Sequence, residues 1–323
     1  MSLSAAGIRR IAVAMQAATA CGIGAALVWL AGWGWAAALA AGVLVVLAGL
    51  GLGIAQAFVL TKRGFGIRRA DLPPAAPSDI AACRRPLRAP EALACYLAEY
   101  AAVFRMFNWL QPFLSHRQFA ETSPGRNAPT VLLVHGYACN HAVWLDLQPA
   151  LAAAGYRCEA IDLEPVFGGI DDYAPVLLDR MRAIATQTGR PPLLVCHSMG
   201  GLAARAAMVL GGTDEICTGA VTLGSPHHGC ALARFGTGRN AEQMHCGNDW
   251  LEALAAAESP RLRGRLVSIF SWHDSISGPA CTSWLDGAHH IALTGIGHVS
   301  LLRHPRAVAA VLEALDTLST RAR

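Results

Sequence analysis

Two long apolar stretches dominate the N-terminal part of the chain. Residues 11–30 and 36–59 carry no charged side chain, and Gln56 is the one polar interruption in the second. Each is long enough to cross a hydrocarbon layer of about 30 Å as a helix. Residues 31–35 between them hold two glycines and two tryptophans, which suits a tight turn at a membrane interface. The pattern predicts a transmembrane hairpin within an anchor spanning residues 1–61.

Basic residues flank the two predicted spans, while the turn between them is uncharged. Arg9 and Arg10 precede the first span, and four basic residues follow the second: Lys62, Arg63, Arg68 and Arg69. The positive-inside rule then predicts a multi-pass protein of the inner (cytoplasmic) membrane with the rest of the chain in the cytoplasm. A cleaved signal peptide is the alternative, but its apolar core is normally about 7–15 residues and no second span follows it.

Small residues recur at four-residue spacing within both predicted spans. Gly49 and Gly53 form one such pair, and Ala20 and Gly24 form another. Because small side chains let helices approach closely, either pair is a candidate for the contact between the two spans.

Residues 62–127 change in character along their length. Up to about residue 90 they are rich in Pro, Ala and Arg, as extended linkers are. An amphipathic helix is predicted over 91–114, where apolar side chains fall at helical spacing: Leu93, Leu97, Tyr100, Phe104 and Phe107. We expect this helix to pack on the globular part, with a position on the bilayer surface as the alternative. Ser-Pro-Gly at 123–125 marks a boundary.

From residue 128 onward, short apolar runs alternate with longer helical periods. Strands are predicted at 130–134, 156–163, 193–196, 220–223, 266–270 and 290–293. Helices are predicted at 141–154 and 170–188, from the turn after residue 196 to residue 210, and at 249–257 and 304–318. Strands that alternate with helices indicate an α/β domain, in which helices cover both faces of a mostly parallel sheet.

The amino-acid composition argues against a nucleic-acid partner and against a disulfide framework. The chain is 54% hydrophobic and 15% charged with a net charge of +4, and it has no dense basic patch, so nucleic acid is not an expected partner. Its ten cysteines lack C-x-x-C pairs and metal-type spacing, which favours reduced thiols over a disulfide framework.

One stretch of the α/β region, Leu193–Arg205, joins an apolar run, a turn of small residues and a helix-forming run. Ser198 lies in the turn, followed by Met199 and two glycines. In a nucleophile elbow, a serine on such a strand-to-helix turn presents its Oγ above the sheet, and small neighbours let the helix start close to the strand. The usual pattern is G-x-S-x-G; here Cys196 replaces the first glycine.

A serine nucleophile needs a base and an orienting acid, which in this fold follow it in the order acid, then His. Asp274 and His298 each come after a predicted strand and are the expected acid and base. The alternatives are Asp249 and Asp286 for the acid, and His273, His289 and His290 for the base. Asp249 suits a helix cap better, and the His289-His290 pair suits a strand end.

A developing oxyanion needs preorganised N–H donors. We expect these donors to be the backbone amides of Met199, which follows the nucleophile, and of Tyr137, in the loop after the first strand.

His227, His228 and His245 have no carboxylate or cysteine at ligand spacing beside them, so no metal site is expected. The region 236–259 is short, and at most a small cap is expected there.

Taken together, these motifs make residues 128–323 similar to the small bacterial triacylglycerol lipases of the α/β-hydrolase superfamily. The resemblance rests on the blocks Val134-His135-Gly136, His197 to Gly201, Thr222 to Gly229, the segment around Asp274, and Gly297-His298, in the family's order. It implies an α/β-hydrolase fold that cleaves acyl esters without a cofactor. Residues 1–127 lie outside it.

The expected function is therefore that of a membrane-anchored lipase or esterase acting on lipid or acyl-ester substrates. The same residues would also suit a thioesterase or acyltransferase, and a catalytically silent membrane scaffold is the remaining alternative. The expected organisation is an anchor (1–61), a linker with an amphipathic helix (62–127) and a catalytic domain (128–323).

Overall fold

The computed structural model describes residues 4–73, 80–81, 84–117, 119, 128–212 and 216–321. The proline-rich centre of the expected linker and the boundary expected at 123–125 lie outside these residues.

The N-terminal part begins with a pair of long helices, α1 (Ala5–Ala31) and α2 (Trp35–Arg63). The Ser4 hydroxyl accepts a hydrogen bond from the Gly7 amide at the start of α1. Gly32 ends α1 with a φ of 66°, a conformation that costs glycine little. Both helices are long and apolar enough to cross a membrane, and the sequence predicted both of them.

The two helices touch through small residues. An added Cβ on Gly24 would lie 3.3 Å from the backbone of α2, and one on Gly42 would lie 3.3 Å from Cα of Ala20. The contact expected at Ala20 and Gly24 is therefore confirmed. The alternative at Gly49 and Gly53 is wrong, because an added Cβ at either position would meet nothing within 4 Å.

A third helix, α3 (Ala89–Arg105), continues through one π-helical turn to Phe113 and packs on the globular part. The buried residues of this segment follow helical spacing: Cys95, Glu99, Ala102, Met106 and Leu110. The helix was predicted correctly, and Phe107 of its predicted apolar face packs on the core, but Leu93, Leu97 and Phe104 are 57%, 54% and 40% exposed. Within α3 itself the buried side chains are two small residues and one carboxylate, and Met106 and Leu110 of its continuation add bulk.

Six parallel strands form one sheet, as the alternating pattern predicted. They are β1 (Thr130–Val134), β2 (Arg157–Ile161), β3 (Leu193–His197), β4 (Gly219–Leu223), β5 (Leu266–Ser271) and β6 (His289–Leu293). The helices of this part are α4 (Gln148–Ala153), α5 (Ile170–Thr188), α6 (Met199–Gly211), α7 (Arg239–Gln243), α8 (Asp249–Ala257), α9 (Pro260–Arg263) and α10 (Pro305–Arg321). The spatial order is β2-β1-β3-β4-β5-β6. A 3-10 segment occupies 141–146, where a continuous helix was expected.

Helices cover both faces of the sheet. Successive strand side chains point to opposite faces, so Leu132 and Leu194 pack with α5 and α6, while Leu133 and Val195 pack with α4 and α10. The second core also includes the buried residues of α3 and of its continuation. The segment after the two long helices is thus part of the globular core.

Candidate active site

Ser198 occupies the sharp turn between β3 and α6. Its backbone has φ 55° and ψ −127°, a region that residues other than glycine rarely adopt. The Ser198 amide donates to the Leu223 carbonyl at 2.9 Å, which ties the turn to the neighbouring strand β4. A Cβ on Gly200 would clash with the carbonyls of Val134 and His135, so only glycine lets the helix start this close to β1. The expected elbow geometry is present.

Asp274 and His298 form a buried pair beyond the ends of β5 and β6. The His298 Nδ1–H donates to Asp274 Oδ2 at 2.9 Å. The other oxygen, Oδ1, accepts from the amides of Ile276 and Ser277 at 2.8 and 2.7 Å. With Nδ1 engaged in this way, Nε2 is the ring nitrogen available to take a proton.

The nucleophile turn and the acid–base pair belong to one site. An added Cβ on Gly224, the residue after β4, would lie 2.9 Å from Asp274 Oδ2 and 3.1 Å from His298 Nδ1. The ring of His197, which precedes Ser198, lies 4.5 Å from the ring of His298 between centroids. The His197 Nε2–H also donates to the His298 carbonyl. The turn that carries Ser198 and the Asp274–His298 pair, which are far apart in sequence, are therefore neighbours at the carboxyl edge of the sheet.

The pKa values of the two neighbouring histidines, His298 and His197, are shifted in opposite directions. Burial disfavours the charged ring of His298, but the Asp274 carboxylate, through its charge and its hydrogen bond, and then Glu99 raise the pKa of His298 above its ordinary value. Burial, followed by repulsion from His298, holds the pKa of His197 well below its ordinary value. Any proton that the site takes up will therefore lie on His298.

The loop that holds the first expected oxyanion donor lies against Ser198. Gly136, the residue before Tyr137, packs directly on Ser198, since an added Cβ there would lie 2.8 Å from Ser198 Cβ and 3.4 Å from its Oγ. Among the described residues, neither the Tyr137 amide nor the Met199 amide has a hydrogen-bond acceptor. The Tyr137 hydroxyl donates to the Thr237 carbonyl at 2.8 Å, which ties this loop to the short region above it.

Comparison with known proteins identifies the family of the chain. The model of the Alpha/beta hydrolase family matches residues 131–292. The chain belongs to the alpha/beta hydrolase family. No curated protein matches its sequence.

Solved structures of hydrolases share the fold. The mature form of the lipase BlEst2 from Bacillus licheniformis is 18% identical, with a TM-score of 0.52 over 62% of this chain and 95% of that one. Lipase B from Aspergillus fumigatus is 15% identical, with a TM-score of 0.50 over 61% of this chain and 55% of that one. At these identities the likeness shows the α/β-hydrolase fold, in which a six-stranded parallel sheet carries the site.

The residues considered as alternative acids and bases of this hydrolase make other contacts or are exposed. Asp249 is the first residue of α8, whose cap is the preceding Asn248, with its side chain accepting from the Trp250 amide. His273 accepts from the Gly295 amide through Nδ1. His290 stacks on the Trp284 ring with centroids 3.7 Å apart. Asp286 and His289 are exposed.

Of the histidines considered for a metal site, His227 has other polar neighbours. His227 lies 3.2 Å from the Thr222 hydroxyl and beside Arg205, which forms a buried ion pair with Glu258. In the described parts of the chain there is no group of three or more His, Cys, Asp or Glu arranged to hold a metal ion.

Glu99 of α3 is the residue that sequence reasoning missed. It is fully buried and reaches the loops of both the acid and the base. Its Oε1 accepts from the Ser275 hydroxyl at 2.6 Å and the Val299 amide at 2.9 Å. Its Oε2 accepts from the amide and the hydroxyl of Ser300 at 2.9 and 2.7 Å. The Ser275 oxygen in turn accepts from the His298 amide at 3.3 Å.

The signal for Glu99 in the sequence was weak but present. Glu99 stands at four-residue spacing from Cys95, as does Glu91, and lies on the side of α3 opposite to the bulky apolar residues. A carboxylate that accepts four hydrogen bonds is satisfied in the interior. Because those bonds come from residues next to Asp274 and His298, Glu99 holds the two loops in register.

Helix α1 also reaches the site. The guanidinium of Arg9 donates to the Ala138 carbonyl at 3.2 Å and lies 4.2 Å from the centroid of the Phe107 ring. Ala138 follows the expected oxyanion donor and has a φ of 51°, unusual for a residue with a Cβ. The N-terminal helices therefore contact both the oxyanion loop and, through Glu99, the acid–base loops of the hydrolase.

Proposed function

We propose that this hydrolase cleaves carboxylic esters of lipids through an acyl-enzyme on Ser198. The observation that carries the proposal is the convergence of a strained serine turn with the buried Asp274–His298 pair. A serine hydroxyl is a weak nucleophile by itself, and a histidine oriented by a carboxylate is the arrangement that activates it.

The mechanism follows from these groups. Ser198 Oγ attacks the ester carbonyl carbon while His298 Nε2 takes the hydroxyl proton. The Tyr137 and Met199 amides hold the oxyanion of the tetrahedral intermediate. His298 then gives the proton to the leaving alcohol as the carbon–oxygen bond breaks, which leaves the acyl group on Ser198. Water, deprotonated by His298, attacks the carbonyl carbon of this acyl-enzyme; the bond from that carbon to Ser198 Oγ then breaks, His298 returns the proton to Oγ, and the carboxylic acid is released. Asp274 orients His298 and stabilises its charged form throughout.

Labelling with a fluorophosphonate tests the nucleophile. The wild-type chain should be labelled at Ser198, and Ser198→Ala should lose all label while keeping its fold. Ser225→Ala is the matched control, because Ser225 packs against Gly201 of the same turn. Label that persists in Ser198→Ala would assign the nucleophile elsewhere. A panel of p-nitrophenyl esters, triglycerides, phospholipids and acyl-CoA would then separate ester hydrolysis from thioester chemistry.

We further propose that α1 and α2 form a membrane anchor, followed by a connecting region (62–127) and the hydrolase domain (128–323). Support comes from the apolar surface of this part of the protein. Leu93, Leu97 and Phe104 of α3 are exposed, as are half of the large apolar side chains of the two long helices, and α3 contacts α2 where the Tyr100 hydroxyl donates to the Leu47 carbonyl. Exposed apolar surface of this extent is typical of a membrane-facing region.

Reporter fusions after Arg323 test the orientation. With the basic flanks Arg9, Arg10, Lys62 and Arg63 inside, the hydrolase domain lies in the cytoplasm. A fused green fluorescent protein should then fluoresce, and a fused alkaline phosphatase should be inactive. An active phosphatase with a dark fluorescent fusion would reverse the orientation, and a soluble, shortened product would indicate a cleaved signal instead.

A further inference from the structure

A cavity of about 650 Å³ lies between the end of α2, the start of α3 and the loop after β5. Of the three proposed catalytic residues, Asp274 alone contributes to its wall. Neither Ser198 nor His298 lines the cavity. Its volume is in the range of small-molecule sites, which are typically apolar with a few convergent polar groups.

One part of the cavity wall is cationic. Lys62, Arg84 and Arg85 all line it. Arg85 is paired with Glu91 at 2.8 Å, and Arg84 lies 5.6 Å from the centroid of the Trp272 ring. Among the described residues, Lys62 has no acidic partner. The carboxylate in the wall, that of Asp274, is already engaged by His298 and two backbone amides.

The field of these cations reaches the interior of the cavity. Burial first, and then the charges of Lys62, Arg85 and Arg84, lower the pKa of His273, which also lines the wall. Lys62 and Arg84, which have no acidic partner among the described residues, favour an anionic ligand in this partly enclosed site.

The apolar part of the wall lies along α2, before Lys62. Phe58 and Val59 line the cavity one turn before Lys62, and Tyr96 and Trp272 face them from α3 and the loop after β5. Along α2 the wall therefore changes from apolar to basic within one turn. A membrane lipid has the same order, from hydrocarbon chain to head group.

We propose that this cavity binds an amphiphile with an anionic head group and a hydrocarbon chain. The head group contacts Lys62 and Arg84, and the chain lies along Phe58, Val59 and Trp272. This second lipid site goes beyond ester cleavage at Ser198, although its place in a bilayer rests on the proposed anchor. The ligand has two sources of the same chemistry: an anionic phospholipid of the leaflet, or the fatty acid that hydrolysis would release.

Quenching of Trp272 by brominated lipids tests the proposal. The full chain carrying Ser198→Ala, which cannot turn lipid over, is placed in phosphatidylcholine nanodiscs. Brominated phosphatidylglycerol, dibromostearate or brominated phosphatidylcholine is then titrated in. The signal from the cavity is the quenching that is lost in Trp272→Phe. We expect it to saturate at low mole fraction with an anionic lipid and not with the neutral one.

Charge variants sharpen the test. Lys62→Gln and Arg84→Gln should each weaken binding by about tenfold, the scale of one charge-assisted hydrogen bond. Arg63→Gln is the matched control, since Arg63 is the next residue on α2 and does not line the cavity. Native mass spectrometry of the same variants counts bound lipid without relying on tryptophan.

The outcomes separate the possibilities. Saturation by phosphatidylglycerol alone assigns the site to a leaflet lipid, and saturation by dibromostearate alone assigns it to the hydrolysis product. Equal quenching by phosphatidylcholine, no component from Trp272, or equal weakening in Arg63→Gln and Lys62→Gln would overturn the proposal. Because binding is measured in Ser198→Ala, a failure here is distinct from a failure of ester hydrolysis.

Discussion

Helices α1 and α2 leave half of their large apolar side chains exposed, whereas strands β1, β3, β4 and β5 bury every residue. Among the described residues, all but four of the exposed large hydrophobic side chains lie before residue 114; the four are Phe167, Val176, Leu210 and Phe235. Both regions read as apolar in sequence. The length of the apolar runs distinguishes the two regions, because about 20 consecutive apolar residues are needed to cross a bilayer and about five suffice for a buried strand.

The two regions nevertheless share one active site. Arg9 of α1 bonds the loop that carries the expected oxyanion donor, and Glu99 of α3 bonds the loops that carry Asp274 and His298. The N-terminal part is thus more than an attachment to the hydrolase domain. Substitutions in the N-terminal helices and in the hydrolase domain measure how far the chemistry depends on each of these two regions.

The largest losses are expected within the hydrolase domain. His298→Ala should remove nearly all turnover, because it takes away the proposed base for the Ser198 hydroxyl. Asp274→Asn should lower kcat by about 10⁴, the loss seen when the same change is made in a serine protease triad. Initial rates on a short-chain p-nitrophenyl ester measure both.

Asp249→Asn is the control for the acid. Asp249 begins α8, away from the pair that His298 forms, so its variant should keep near wild-type rates. An inactive Asp249→Asn beside an active Asp274→Asn would show that the acid has been assigned to the wrong residue.

A smaller loss is expected when the N-terminal region is altered at Glu99. Glu99→Gln keeps the shape of the side chain but replaces one acceptor oxygen with a donor facing the amides or hydroxyls of 275, 299 and 300. Loops displaced by a fraction of an ångström should lower kcat by up to about 10²-fold, with a smaller effect on KM. Glu313→Gln, an exposed change on α10, should leave kcat unchanged.

The pH profile of kcat/KM of the Glu99→Gln variant distinguishes an electrostatic role of Glu99 at the site from general destabilisation. The base works as neutral His298, so activity rises as pH passes through its pKa. The groups that face it are Asp274, Glu99 and His197, and the two carboxylates raise the pKa of His298. Removing the charge of Glu99 should therefore move the acid limb to lower pH. A Glu99→Gln variant with reduced kcat and an unmoved limb would restrict Glu99 to a structural role.

The smallest effect concerns the two long helices themselves. Gly42→Val should separate α1 from α2, since an added Cβ would collide with the Ala20 backbone, at a cost of about 1–3 kcal/mol of stability. Gly49→Val on the same helix should be tolerated, because that position faces open space. Thermal unfolding in detergent compares the pair, and equal losses would place the helix contact elsewhere.

Several features could be predicted from the sequence because their causes are local. The strand bounds were found to within a few residues from apolar runs, and α5 and α8 were found with their observed ends. Ser198, Asp274 and His298 were selected because each follows a strand, and the carboxyl ends of parallel strands share one edge of the sheet. The packed face of α3 was not found, since small residues at helical spacing carry little hydrophobic signal.

The sequence by itself determined the order of the elements, the nucleophile turn and the candidate acid and base. Periodicity, turn residues and chain order are properties of short segments, so a single chain is enough to read them. Only the tertiary structure decided that Glu99 meets Ser275, Val299 and Ser300, which lie 176 to 201 residues further along the chain. A buried carboxylate must find its donors wherever the fold brings them together, and no local pattern specifies which distant backbone amides those will be.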